Sequence, residues 1–442
     1  MKYADVAINL PVKNLFKQFT YLISDELDFV NEGWRVIVPF SHQMVEGFVV
    51  RTYENEVQKG EIKEIIDTLD TTPWFDQQML VLSQWISDYY MCSLAEAMRL
   101  FIPGRSSIRS VPKYLVNPEA VIEEFTDDER LLHDFLLENQ GASRKTIEVK
   151  FGSRGLLKKL LAKKALVLDY EIDKKIKEKT VNVYNISDEG RRILDDLKHM
   201  PAQKVAMEIL REQGEMEREA LLYKQISSAT INVLCQKGWI VKKQKRVFRD
   251  SYFNHFDKKN DLILTTEQAE ALSKIIDSVT SGKHSTFLLQ GITGSGKTEV
   301  YLRSAEETLA RGKQVMILVP EIALTGQIVE RFKAWFGKRV AVAHSKLSQS
   351  ERADVWYKMR TGNADILIGV RSAVFAPFQN LGLIIIDEEQ EYSYKQEERP
   401  SYHARTIALK RAQMSSIPLL LGSATPDVCS YYHASNGRYQ HL

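Results

Sequence analysis

Cysteine is scarce: Cys92, Cys235 and Cys429 are the only three in 442 residues, and they stand far apart. Such spacing builds neither a disulfide framework nor a cysteine metal cluster, and it fits a reducing, cytoplasmic setting. Long apolar runs are missing too. The longest, Leu381 to Ile386, has the length of a strand and is far too short to span a bilayer, so no membrane partner is expected. The N-terminus carries Asp5 where a signal peptide would continue apolar. Charge of one sign is also lacking. With a net charge of only +2, any nucleic-acid contact must use local basic patches. What remains is 44% apolar and 27% charged, the balance of a globular protein, with length for roughly three domains.

The most informative stretch is Gly291-Ile292-Thr293-Gly294-Ser295-Gly296-Lys297-Thr298. An apolar run, Thr286 to Gln290, precedes it, and a helix-like segment, Glu299 to Arg311, follows. Strand, glycine-rich turn and helix form the setting of a phosphate-binding loop. Its glycines let backbone N–H groups turn inward at a polyphosphate, and the helix N-terminus adds positive potential there. Lys297 reaches the terminal phosphates in this reading, and the Thr298 hydroxyl ligates Mg²⁺. Gln268, in Thr265-Thr266-Glu267-Gln268, is a candidate reader of an adenine edge.

The chain divides into three expected regions. Residues 1–105 read as a β-rich, barrel-like module, with strands around Trp34–Phe40 and Glu46–Val50 and one helical stretch from Asp76 to Leu100. Such barrels often bind oligonucleotides, although a purely structural role fits at least as well. Residues 106–253 contain an internal repeat. Gln140-Gly141 and Gln213-Gly214, 73 residues apart, each lie ahead of a similar helical stretch, Leu157–Val167 or Ile231–Val241. Each copy ends in a Lys-rich tail, Asp173–Lys179 or Lys242–Arg249. Helices followed by a wing are the winged-helix plan, and lysines on a wing suit phosphate contacts, although a spacer role fits equally well. After a polar linker, Asn254–Asp261, residues 254–442 alternate strands and helices, which implies a parallel sheet covered on both faces. The strand candidates are 286–290, 315–319, 340–343, 365–369, 382–386 and 418–421.

The run Leu381 to Ile386 leads into Asp387-Glu388-Glu389-Gln390. At the carboxyl end of a central strand, Asp387 is placed to hold Mg²⁺ and Glu388 to orient and deprotonate an attacking water. Gly422-Ser423-Ala424-Thr425-Pro426 follows a further strand, and Ser423 and Thr425 are candidates for passing on nucleotide state. Arg371 stands at another strand end and suits a nucleic-acid phosphate. Tyr392, Tyr394, Lys395 and Tyr402 lie in a charged loop after the acidic pair; interleaved aromatic and basic residues suit stacking on single strands, with a core or interface tyrosine cluster as the alternative.

In this order, the motifs resemble those of superfamily 2 helicases. The stretch from Asp387 to Arg405, with Ala343-His344-Ser345 and Arg371 to Phe378, is similar to the primosomal protein N′ family of replication-restart helicases. The resemblance implies a RecA-like lobe, ATP and Mg²⁺ as cofactors, and a 3′→5′ DNA helicase acting on stalled or branched forks. It places Lys297, Thr298, Asp387 and Glu388 in the ATPase site, and Phe19, Gly33 and Lys63 in a pocket for a DNA 3′ end. Its implied partners are branched and single-stranded DNA, primosome proteins and single-stranded-DNA-binding protein. Thr20, Gln390 and Val370 stand where the family usually has Asp, His and Thr. The family continues into a zinc module and a second helicase lobe, and the zinc ligands are not in this sequence. A chain ending at Leu442 is therefore expected to bind ATP and DNA but to hydrolyse ATP slowly. A fork-binding module that uses nucleotide only as a ligand, and a winged-helix regulator with a phosphate-loop switch, remain the alternatives.

Overall fold

The computed structural model describes residues 1–10, 16–41, 43–54, 62–104, 108–118, 125–139, 141–151, 154–174, 179–197, 200–248, 262–325 and 327–442. The Asn254–Asp261 linker, Gln140 and parts of both Lys-rich tails lie outside these residues.

Strands β1 (Lys2–Ile8), β2 (Phe19–Ile23), β3 (Arg35–Phe40), β4 (Gln43–Glu54) and β5 (Asp67–Thr68) form an antiparallel sheet in the order β2-β1-β4-β3-β5. The sheet curls until its edges touch: the Leu22 N–H donates to the Lys63 carbonyl, and the Ile65 N–H to the Leu22 carbonyl, both at 3.0 Å. Side chains alternate along the strands. Ala4, Val6, Ile8, Tyr21, Ile23, Val36 and Val38 fill one face. On the other face, Ala7 and Phe48 pack with α1 (Gln77–Tyr89) and α2 (Leu94–Arg99). The single helix expected over Asp76–Leu100 is thus two. Met91 takes a left-handed φ of 51°, and Ser93 then opens α2 with a reciprocal cap to Glu96. A buried cation also ties this module together. Arg35 makes a bidentate pair with Asp70, at 2.6 Å for each bond, reaches Glu46 at 3.3 Å and lies over the Trp74 ring.

The two stretches of the middle region share an order of elements. The first copy runs β6 (Ile108–Val116), α3 (Asp127–Glu138), β7 (Ala142–Ser143), α4 (Arg144–Phe151), α5 (Arg154–Ala162) and β8 (Leu166–Lys174). The second runs β9 (Thr180–Ile186), α6 (Asp188–Ile193), α7 (Pro201–Gln213), β10 (Met216–Glu217), α8 (Arg218–Tyr223), α9 (Ser228–Gln236) and β11 (Ile240–Arg246). The sheets match, β7-β6-β8 and β10-β9-β11, with α6 as an insertion. Each copy begins with a strand that the helical periodicity did not reveal, because β6 and β9 need their last strand, β8 or β11, as partner. Contacts group Met1–Ile176 with Asn254–Leu442 in one compact unit and Lys177–Phe253 in a second.

The remaining elements are α10 (Thr266–Ser281), β12 (Thr286–Gln290), α11 (Lys297–Ala310), β13 (Gln314–Leu318), α12 (Gln327–Phe336), β14 (Val340–Ala343), α13 (Gln349–Arg360), β15 (Ile366–Gly369), β16 (Leu381–Asp387), β17 (Lys395–Gln396), β18 (Tyr402–His403), α14 (Ala404–Met414), β19 (Leu419–Ser423), α15 (Val428–Ser435) and β20 (Gln440–His441). Seven of these strands form a parallel sheet in the order β14-β15-β13-β16-β19-β12-β20. Leu383 to Ile386 are fully buried on both faces, which is why β16 reads as an unbroken apolar run. Each such side chain contributes about 1.5–3 kcal/mol by leaving water. The two-residue β20 carries no pattern that a sequence reading can find.

Candidate active site

All seven strands of the sheet run the same way, so β12, β16 and β19 deliver their carboxyl ends to one edge. There β12 passes into the turn 291–296, and α11 starts at Lys297. Gly296 has φ +88°, and a Cβ on it would lie 2.3 Å from the Gln268 side chain, so only glycine fits. The Lys297 ammonium folds over the turn and donates to the Gly291 carbonyl at 2.6 Å. Gln268 supports the same turn. Its amide donates to the Ser295 carbonyl at 3.0 Å, while its Oε1 accepts from the Thr265 N–H at 3.0 Å as part of the cap of α10.

Asp387 ends β16 opposite this turn. Its Oδ1 accepts from the Tyr301 hydroxyl of α11 at 2.9 Å, and its carbonyl accepts from the Tyr394 hydroxyl at 2.6 Å. Burial pushes the Asp387 carboxyl above its usual range; the Tyr301 hydrogen bond and the Lys297 charge act the other way. Burial, reinforced by the Asp387 charge, holds the Tyr301 hydroxyl far above its usual range, so it remains the donor.

Glu388 has a left-handed φ of 46°, unusual for a side chain of its size. Gln390 holds it, donating to Glu388 Oε2 at 2.9 Å. The Ser423 hydroxyl donates to Gln390 Oε1 at 2.6 Å, and the Thr425 N–H donates to Ser423 Oγ at 2.9 Å. Glu388, Gln390, Ser423 and Thr425 therefore form one hydrogen-bonded chain from β16 to the end of β19.

Glu389, 1% exposed, points the other way. It pairs with Arg405, accepts from the Ser430 hydroxyl at 2.9 Å and from the Asp427 N–H at 2.8 Å. This second network fixes α14 and α15 to the acidic strand end, and the sequence reading missed it. So was Tyr301 missed, because an aromatic four residues after Lys297 reads as ordinary core.

Several expected nucleic-acid contacts need correction. Tyr394 and Tyr402 are 1% and 2% exposed, so neither ring can stack on a base. Tyr394 is held by its hydrogen bond to Asp387, and Tyr402 packs edge-on against Phe375 at 4.9 Å. Arg371 does not reach outward. Its guanidinium donates to the Lys395 carbonyl at 2.5 Å and to Gln396 Oε1 at 3.1 Å, fastening the loop to the sheet edge. Tyr392, 64% exposed, and Lys395 remain at the surface, with the ammonium 5.4 Å from the ring. Beside them, Arg99, Arg352, Arg371, Ser345 and Ser372 line a groove at the strand ends.

The residues of the expected 3′-end pocket lie on one curled sheet. Phe19 lies on β2 against Phe40, and the Lys63 carbonyl bonds β2. Gly33 sits across the sheet, its N–H on Val49, where its φ of +86° and the Phe75 carbonyl demand glycine. Thr20 donates instead to Asp5 on β1 at 2.9 Å.

The 3′DNA-binding domain family (3′BD) of PriA matches residues 5–103, and the DEAD/DEAH box helicase family matches residues 265–431. Replication restart protein PriA of Bacillus subtilis (strain 168) is 37% identical, covering 100% of this chain and 55% of that protein. PriA of Haemophilus influenzae is 32% identical, covering 100% and 52%, and PriA of Synechocystis is 33% identical, covering 97% and 52%. The chain spans about half the length of these curated relatives. A solved DEAD-box splicing factor, yeast Prp28, aligns at 17% identity over 35% of this chain and 40% of that one, with a TM-score of 0.28. Along its whole length the chain corresponds in sequence to the front part of the replication restart protein PriA family, from the 3′-DNA-binding domain through the first helicase lobe.

Proposed function

We propose that this chain is the DNA-recognition part and first motor lobe of an ATP-driven, 3′→5′ replication-restart helicase that acts on stalled or branched forks. The observation that carries the reading is the 2.9 Å bond from Tyr301, on the helix of the phosphate loop, to Asp387. It sets the helix of the phosphate loop against the acidic strand end, as a shared nucleotide site requires. The donor set fits Mg²⁺, which takes hard oxygen ligands and usually one or two carboxylates beside substrate phosphates. Thr298 and Asp387 would hold that ion, which neutralises charge on the transferring phosphoryl group. The backbone of Gly291 to Gly296 cradles the phosphates, and Lys297 exchanges its hold on the Gly291 carbonyl for a phosphate oxygen. Glu388 orients the attacking water and takes its proton. Gln268 has one amide hydrogen and one oxygen lone pair left for an adenine edge. Ser423 and Thr425 carry nucleotide state through Gln390.

On the DNA side, the groove lined by Arg99 and Arg352 tracks a phosphate backbone, with Arg371 fastening the loop beside it, while Tyr392 and Lys395 meet a strand from the loop. The two repeat copies act as winged helices. Phe19 and Lys63, with the Thr20–Asp5 pair, form the surface for a 3′ end. Primosome proteins and single-stranded-DNA-binding protein are partners of the assembled machine.

Lys297→Ala tests the reading. It is expected to weaken binding of a fluorescent ATP analogue at least tenfold while fork-DNA affinity stays within about twofold, since removing one charge-assisted contact is worth roughly 1.5–3 kcal/mol. Unchanged nucleotide binding would defeat the assignment.

A further inference from the structure

We propose that Tyr301 is a positioning residue of the metal–nucleotide site, acting through Asp387; this rests on the nucleotide-site reading above. Tyr301 lies three residues after Thr298 on α11, so the two share a helix face one turn apart. One face of the helix thus presents a hydroxyl that would ligate the ion and a second hydroxyl that grips the other protein ligand. The Tyr301 ring is fully buried, and its hydroxyl donates to Asp387 Oδ1 at 2.9 Å. That bond fixes the rotation of the carboxylate and assigns Oδ1 to the protein.

A second, independent feature supports the same role. β19 runs between β12 and β16, and Gly422 sits on it beside Asp387. A Cβ on Gly422 would lie 1.6 Å from the Tyr301 hydroxyl oxygen and 2.8 Å from the ring carbon bearing it. Glycine at this position therefore holds open the space through which the hydroxyl reaches the carboxylate. Helix, central strand and neighbouring strand are all shaped around one hydrogen bond. Tyr394, from the other side, holds the Asp387 carbonyl at 2.6 Å, so side chain and backbone of the same aspartate are each fixed by a tyrosine.

A tyrosine that only fills the core would affect stability without affecting metal dependence. The test measures binding of a fluorescent ATP analogue by the 442-residue chain across a Mg²⁺ titration, with thermal melting in parallel. Tyr301→Phe removes one oxygen atom and is expected to raise the half-saturating Mg²⁺ concentration about tenfold, the usual effect of losing a partner of a metal ligand. In an Asp387→Asn background the same change is expected to add nothing, because its route is gone. Gly422→Ala displaces the hydroxyl from the opposite side and is expected to reproduce the shift, which decides the matter should Tyr301→Phe melt too early. An unchanged Mg²⁺ dependence, or an equal shift with and without Asp387, overturns the proposal alone. Failure of the unaltered chain to bind nucleotide with Mg²⁺ overturns the nucleotide-site reading and this inference with it.

Discussion

Glu388 shows what a single residue gives up for its place. A left-handed backbone at a non-glycine costs on the order of 1–3 kcal/mol and persists only where neighbours over-determine it. Here Gln390 holds the carboxylate and Ser423 holds Gln390. Gln390→Ala is expected to leave nucleotide binding nearly intact and to reduce any DNA-stimulated hydrolysis about tenfold, measured as turnover with and without single-stranded DNA; a hydrogen bond to a charged group is worth roughly that much. Asp387 makes a second case. Its folded pKa is raised by burial, so the group contributes stability only when protonated, and the fold loses stability as pH rises through that value. Asp387→Asn is therefore expected to raise the melting temperature near neutral pH while impairing Mg²⁺–nucleotide binding. Arg35 is the opposite. Arg35→Ala removes the cation facing Glu46, 2% exposed, and Asp70, and is expected to cost about 3–5 kcal/mol in denaturant unfolding of the N-terminal module.

At the scale of elements, legibility followed periodicity. Six of the seven strands of the sheet, all but β20, carry short apolar runs and were readable because a parallel sheet buries both faces. The motif residues were readable because phosphate chemistry dictates their spacing. Strands β6 and β9 were not, since partners distant in sequence define them. Nor was the break between α1 and α2, which rests on Met91 and the Ser93 cap rather than on a proline or glycine. The aromatic loop misled for a physical reason: composition tells which rings are present, not which way they turn. That gives a sharp contrast. Tyr392→Ala is expected to weaken single-stranded DNA binding by about 1–3 kcal/mol without lowering the melting temperature. Tyr402→Ala is expected to lower stability by about 3–5 kcal/mol, as truncation of a buried aromatic does. The reverse pattern would restore the stacking role to Tyr402.

At the scale of the molecule, the N-terminal module and the nucleotide lobe share a core. Phe101 packs edge-on against Phe375 at 5.3 Å, Glu96 pairs with Arg399 at 3.0 Å, and the Tyr90 hydroxyl accepts from the His403 N–H at 3.1 Å. These contacts reach the same loop whose Tyr394 holds Asp387, so the N-terminal module and the acidic strand end meet through one segment. No local sequence signal announces a core built from Phe101 and Phe375, which lie far apart along the chain. The account stands on the claim that Gly291–Thr298 and Asp387–Glu388 enclose a single metal–nucleotide pocket. A crystal structure of the chain with Mg²⁺ and a non-hydrolysable ATP analogue tests it most directly. The expected result is a magnesium about 2.1 Å from the Thr298 hydroxyl, with Asp387 in its coordination sphere directly or through one water. Nucleotide bound elsewhere, or a metal out of reach of Asp387, would contradict it.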